Sequence, residues 1–232
     1  MSPRRGYVIA CSPRSGSTLL CDLLRQTRLA GLPDEYKPRS AWPGRYHAEY
    51  FWEFRDDRCT PNGVFGVKLM WSQLLELDGD IQYYGVSDHP DRHARVSHFL
   101  GNVRYVRLRR RTRIEQALSW LKARMTGEWT PLPGETRPGW PRPPTRLAID
   151  RTLALLEAQE SAWDDFIAGG RNEQTEVIYE DLVGDLVATV GRVLESLDLD
   201  IRPPAAFPAR LVRDPDIEIE QLARRYLAGE LS

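Results

Sequence analysis

The segment from Gly6 to Leu24, GYVIACSPRSGSTLLCDLL, constrains the fold more than any other part of the chain. A short apolar run gives way to a Ser/Pro/Gly loop and then to Leu19, Leu20, Leu23 and Leu24 at helical spacing, which reads as strand, loop, helix. Such a loop turns successive backbone N–H groups, and the helix N-terminus behind them, toward an anion. Arg14, Ser15, Gly16, Ser17 and Thr18 are therefore candidates to hold a phosphate, with the Ser17 and Thr18 hydroxyls as added donors. The nucleoside-triphosphatase pattern, GxxxxGK followed by Ser or Thr, is not met. No glycine stands at the start of the pattern, and Ser17 follows Gly16 where lysine is required. An ordinary helix cap would also use Ser and Thr, but a cap needs neither the arginine nor the glycine.

The rest of the chain repeats the alternation. Val64 to Met70 follows the turn signal Pro61-Asn62-Gly63, Val103 to Leu108 follows Gly101-Asn102, and both are short enough for strands. Helical spacing recurs between Arg113 and Met125 and again through Ile149, Leu153, Leu156 and Trp163. Glu176 to Tyr179 reads as a fourth strand, leading through YEDL into a helix from Leu186 to Leu197. Strands alternating with helices predict an α/β fold, a P-loop-type three-layer sandwich with a central parallel sheet flanked by helices. The strands spread from residue 7 to residue 179 with no linker, so residues 1–232 are expected to form a single domain. Thr130 to Thr145 carries six prolines and is expected to be a loop or lid near the site.

Composition bounds the function. Lys+Arg 32 against Asp+Glu 33 removes the global basic field of a nonspecific nucleic-acid binder, so an anion site must be local. No run of eighteen apolar residues occurs, and Ser12, Pro13 and Arg14 interrupt any signal-peptide core, so a cytoplasmic protein with no membrane span is expected. Cys11, Cys21 and Cys59 lack CxxC spacing and read as reduced, buried thiols. His89, His93 and His98 with Asp88 and Asp91 fit no standard ligand set and read as a polar loop entering a helix, so no metal is expected.

Lysine is rare, at Lys37, Lys68 and Lys122 only, and six arginines fall between Arg104 and Arg113. Arginine at the carboxyl end of a parallel strand sits where such sheets bind ligands, and Ser119 on the following helix could share a second phosphate. Arg104 and Arg107 read as a solvated basic edge, whereas Arg110 and Arg111 read as ligand-facing. Trp71, Trp120 and Trp163 read as packing residues, and Trp129, beside the proline-rich loop, as a stacking surface for substrate.

These motifs together resemble a family. PRSGSTLL looks like the 5′-phosphosulfate loop of sulfotransferases, and LRRRTRIEQALSW like their 3′-phosphate strand and helix. AGLPDEY, TPNGVFGVKLMW and QALSWLKARMTGEW are similar in order and spacing to the bacterial trehalose 2-sulfotransferase-like family, and the resemblance runs from about residue 7 to 225. It implies that Arg14 to Thr18 hold the 5′-phosphosulfate of 3′-phosphoadenosine-5′-phosphosulfate, and that Arg110, with Arg111 beside it, and Ser119 hold the 3′-phosphate. It implies Glu35 as general base, with Asp34 on the acceptor's hydroxyls and Arg14 stabilising the leaving phosphate. On residue type alone, Glu35 would be a surface loop acid. Leu32 stands where trehalose-acting members carry a second acid, Asp34 being the nearest substitute. Cytosolic sulfotransferases use a histidine base, which keeps His47 as an alternative. The expected partner is a small-molecule hydroxyl acceptor, a sugar or glycosylated metabolite, and a homodimer is compatible with the family. The competing readings are a P-loop kinase, opposed by the missing lysine after Gly16, and an inactive nucleotide-binding adaptor, opposed by the presence of Glu35.

Overall fold

β1 (Gly6–Cys11) is buried along almost its whole length, which is why its sequence is a continuous apolar run rather than an alternating one. In the computed structural model, which describes residues 5–38, 53–101, 103–129, 138–200, 203–207 and 216–231, β1 pairs in parallel with two neighbours. β2 (Phe65–Met70) lies on one side and β3 (Val103–Arg109) on the other. β4 (Gln174–Ile178) adds beyond β3, giving the all-parallel order β2-β1-β3-β4.

Alternate residues of β1 feed two cores. Val8 and Ala10 pack with Val67, Leu69 and Tyr105 beneath α2 (Trp71–Tyr83), α3 (Arg92–Leu100) and the long α5 (Arg146–Gly169). Tyr7, Ile9 and Cys11 pack with Val106 and Leu108 beneath α1 (Ser17–Gln26) and α7 (Leu186–Ser196). The expected three layers are thus present. A smaller core joins α4 (Arg113–Thr126), α5 and the last helix, α8 (Ile217–Leu227).

Several expectations need correcting. The fourth strand ends at Ile178, because Tyr179 already begins the short helix α6 (Tyr179–Gly184). Cys11 and Cys21 are buried, but Cys59 is partly exposed beside a one-turn 3-10 helix at Asp56–Arg58. Arg107 is no solvated edge: it is 1% exposed, because its side chain turns inward to Glu160 and the Ala10 carbonyl. Arg104 remains partly exposed and pairs with Glu173 and Asp198. Helix α2 carried too weak an apolar period to be read, because buried positions Gln73, Asp78 and Asp80 are polar and satisfied by partners elsewhere. Asp78 accepts from Arg92 and Arg95 of α3, whose N-terminus Asp91 caps. Of the proline-rich segment, residues 138–144 form no helix or strand, and 130–137 lie outside the described residues. Among the described residues no helix is long and apolar enough to cross a membrane.

Trp163 of α5 is the largest fully buried side chain among the described residues. It packs edge-on against Trp71 and Phe166, and its indole N–H donates to the Cys11 carbonyl at 3.1 Å, just where β1 ends. Trp163→Ala should therefore cost about 3–5 kcal/mol in denaturant unfolding. Trp163→Phe, which keeps most of the apolar surface and loses the hydrogen bond, should cost markedly less.

Candidate functional site

All four strands point their carboxyl ends to one edge, and the loop after β1 rises from the middle of it. Arg14 adopts φ +61° and Gly16 φ +90°, so the chain makes two left-handed turns within three residues before α1 begins. A side chain at Gly16 would be strained by its φ and would collide with the Tyr179 ring, 2.2 Å from the position of a Cβ. Glycine is required there for both reasons.

An open cleft of about 260 Å³ lies in front of this loop. Its walls are Pro13, Arg14, Gly16, Ser17 and Thr18 from the loop and helix start, Arg110 and Ser119 from the β3 side, and Glu35 and Lys68 from the β2 side. Leu19, Asp22, Met70, Trp129 and Tyr179 complete it. Arg14 spans the loop and α4: its Nε donates to the Ser119 hydroxyl at 2.9 Å, and its guanidinium also reaches the Trp129 carbonyl. Ser15 does not line the cleft, and its buried hydroxyl has no hydrogen-bond partner among the described residues.

Glu35 reaches the cleft because residues 34–36 lie along the outer edge of β2. Lys68 N–H donates to the Asp34 carbonyl at 2.9 Å, and Tyr36 N–H donates to the Lys68 carbonyl at 3.3 Å. The Glu35 carboxylate then accepts from Lys68 Nζ at 2.7 Å and from Gln73 Nε2 at 2.6 Å. Burial by itself would lower the Lys68 ammonium, but Cys11 and Glu35 alongside outweigh it and hold it above the usual lysine value. Lys68 is thus a fixed positive charge at the cleft wall.

On the opposite wall, Arg110 lies over the Tyr179 ring at 5.0 Å and donates to Thr112 and Glu115. Glu180 accepts from the backbone N–H groups of Arg111 and Thr112 at 2.9 and 3.0 Å, fixing the turn from β3 into α4. Burial would raise the Glu180 carboxyl, but those N–H donors outweigh it and hold it below the usual glutamate value.

The residues expected from sequence therefore divide. Arg14, Gly16, Ser17, Thr18, Glu35, Arg110, Ser119 and Trp129 come together in one cleft. Arg111 does not, because its side chain turns out to Asp181. Nor does the Asp34 carboxylate, which lies within 3.7 Å of Arg25 and accepts from the Glu35 N–H. His47 lies outside the described residues. Sequence reasoning missed Lys68, Gln73, Asp22 and Tyr179. Lys68 had a signal, being a charged residue inside the buried run VFGVKLM, where parallel strands are otherwise apolar.

Behind the loop, Glu160 of α5 is almost fully buried. One carboxylate oxygen accepts from the Ser12 hydroxyl at 2.6 Å, and the other faces Arg107, Arg113 and Arg109 at 2.9, 3.2 and 3.4 Å. Burial by itself would raise the Glu160 carboxyl, but Arg113, Arg107 and Ser12 outweigh it and hold it below the usual glutamate value.

A model of the Stf0 sulphotransferase family matches this chain over residues 6–59 and 46–229. The chain is 29% identical to the trehalose 2-sulfotransferase of Mycolicibacterium smegmatis, covering 95% of this chain and 93% of that one. It is 28% identical to the trehalose 2-sulfotransferase of Mycobacterium tuberculosis, covering 97% and 95%. In fold it resembles a sulfotransferase from Alicyclobacillus acidocaldarius, with TM-score 0.51 and 15% identity over 98% of this chain and 93% of that one.

The depressed Glu160 carboxyl fixes the sign of an acid effect. Its contribution to stability is present above the ordinary glutamate pKa of about 4.3 and is lost as pH falls through its lower folded value. Thermal melts of wild type and Glu160→Gln should differ most near neutral pH and converge below about pH 4.

Proposed function

Because the chain belongs to the Stf0 sulphotransferase family, we propose that it moves a sulfuryl group from 3′-phosphoadenosine-5′-phosphosulfate to a hydroxyl of a carbohydrate or glycosylated metabolite. The supporting observation is that the left-handed turn from Arg14 to Thr18, Arg110 with Ser119, and the Glu35 carboxylate line the same cleft. Arg14 and the loop N–H groups, with Ser17 and Thr18, would hold the 5′-phosphosulfate, and Arg110 with Ser119 the 3′-phosphate. A bound donor would take the place of Ser119 and the Trp129 carbonyl as the partner of Arg14.

In the reaction, the acceptor oxygen forms a bond to sulfur as the bond from sulfur to the 5′-phosphate oxygen breaks. The electron pair of that bond leaves on the phosphate, and Glu35 takes the acceptor's proton. Arg14, Lys68 and the loop N–H groups supply positive charge where the leaving phosphate gains negative charge, so the proposal needs no metal ion. Gln73 and Lys68 hold the Glu35 carboxylate in the cleft. Asp34 supports it from behind through the Glu35 N–H, and we assign acceptor hydroxyls to Asp22 and Trp129 instead. The curated relatives are trehalose 2-sulfotransferases, which makes a disaccharide the first acceptor to test, and Leu32, where the family resemblance implies an acid, is the position we propose as the source of a different preference.

Calorimetry should find adenosine 3′,5′-bisphosphate binding roughly ten- to a hundredfold more tightly than adenosine 5′-monophosphate, and Arg110→Ala should erase most of that difference. Equal affinities in wild type would remove the second phosphate site and favour a kinase-like nucleotide binder. Glu35→Gln keeps the shape but cannot take a proton. Turnover should fall by about 10²–10⁴ with bisphosphate affinity close to wild type, and near-normal turnover would move the base elsewhere.

A further inference from the structure

The polar residues behind the loop form a chain of hydrogen bonds with one direction. Gln116 Nε2 donates to the Ser12 hydroxyl at 2.9 Å and to the Pro13 carbonyl at 2.8 Å, and the Ser12 hydroxyl in turn donates to Glu160 at 2.6 Å. Ser12 and Gln116 are completely buried, and Glu160 is nearly so. The residue after Pro13, Arg14, is held at φ +61°, a left-handed conformation that is unfavourable for a non-glycine residue. Nothing in the local sequence favours it, since Arg14 is neither glycine nor a short polar residue that bonds its own backbone.

We propose that Glu160 and Gln116 are positioning residues for the donor loop. They fix Ser12 and Pro13 so that Arg14 stays in its left-handed conformation and the loop presents its N–H groups to the 5′-phosphate. The inference rests on the reading of this loop as the donor's phosphate site. Both side chains stand on helices rather than loops, Glu160 on α5 and Gln116 on α4. Gln116 lies one turn before Ser119 on α4, so the helix that anchors the loop from behind also carries the proposed 3′-phosphate residue. The spacing between the two phosphate sites is thereby set by one rigid element. Ser12 and Gln116 are fully buried, so these hydrogen bonds do not compete with bulk water.

The test uses Gln116→Met and Ser12→Ala, which remove the hydrogen bonds without leaving a buried charge unpaired. Adenosine 5′-monophosphate and adenosine 3′,5′-bisphosphate are titrated into each by calorimetry, and melting temperatures are measured alongside. Each variant should lose about tenfold in affinity for both nucleotides, leaving the ratio between the two unchanged. The double variant should be little worse than Gln116→Met alone, since both substitutions break one chain. In steady state the donor KM should rise while the acceptor KM stays near wild type. Wild-type nucleotide affinities in both variants, whatever their melting temperatures, would overturn the proposal and leave the network a purely stabilising one. Loss of monophosphate affinity supports the positioning role even where wild type binds the two nucleotides equally, a result that overturns only the donor assignment.

Discussion

The buried carboxylate of Glu160 is the interaction on which the rest of the cleft depends. A charge so far from water costs several kcal/mol unless it is paired and hydrogen-bonded, and losing one partner of such a pair leaves the other uncompensated. Here the compensation comes from three directions: Arg107 and Arg109 from β3, Arg113 from the start of α4, and the Ser12 hydroxyl from the loop. Asp164, one turn further along α5, takes a second share of Arg107 and Arg109. Strand, loop and two helices therefore meet at one electrostatic knot, directly behind the segment that turns to face the cleft.

The two walls of that cleft come from the two neighbours of β1. The connection out of β1 runs to β2 on one side and the connection out of its neighbour β3 runs to β4 on the other, and in parallel sheets the crevice where adjacent connections part is where ligands bind. The β2 wall carries Lys68 and the carboxylate of Glu35, which lies on that strand's outer edge through backbone hydrogen bonds. The β3 wall carries Arg110 and, through α4, Ser119. Ser17 stands where a nucleoside triphosphatase would carry its loop lysine, Lys68 lines the cleft from the adjacent strand, and Arg14 reaches across from the loop to α4.

Arginine is used here mostly for internal wiring. Of the run between Arg104 and Arg113, Arg107 is the most deeply buried and serves the Glu160 knot, Arg111 pairs with Asp181, and Arg104 ties β3 to Asp198 beyond α7. Arg110 alone of the run lines the cleft. Its planar guanidinium rests on Tyr179 and donates to Thr112 and Glu115, and in the function proposed above it would offer the 3′-phosphate a fixed plane of donors that a lysine could not.

The local signals in this chain were strong wherever one segment makes both the structure and the site. The continuous apolar runs of β1, β2 and β3, the strand-loop-helix around Arg14 and the helical period of α4 were legible, because burial on both faces of a parallel strand and one buried face of a helix impose their patterns on the sequence directly. The family resemblance added Glu35, whose loop has no pattern of its own. Residues whose role depends on a distant partner could not be read. Arg107 looked like surface charge because Glu160 is 53 residues away, and Asp78 broke the helical period of α2 because Arg95 satisfies it from another helix. Asp34 and Glu35 are neighbours of the same chemical type, yet only Glu35 faces the cleft, because the extended backbone pairing with β2 sends successive side chains to opposite sides. Period and turn chemistry are carried by consecutive residues, whereas the pairing of buried charges is decided only when the sheet brings remote segments together.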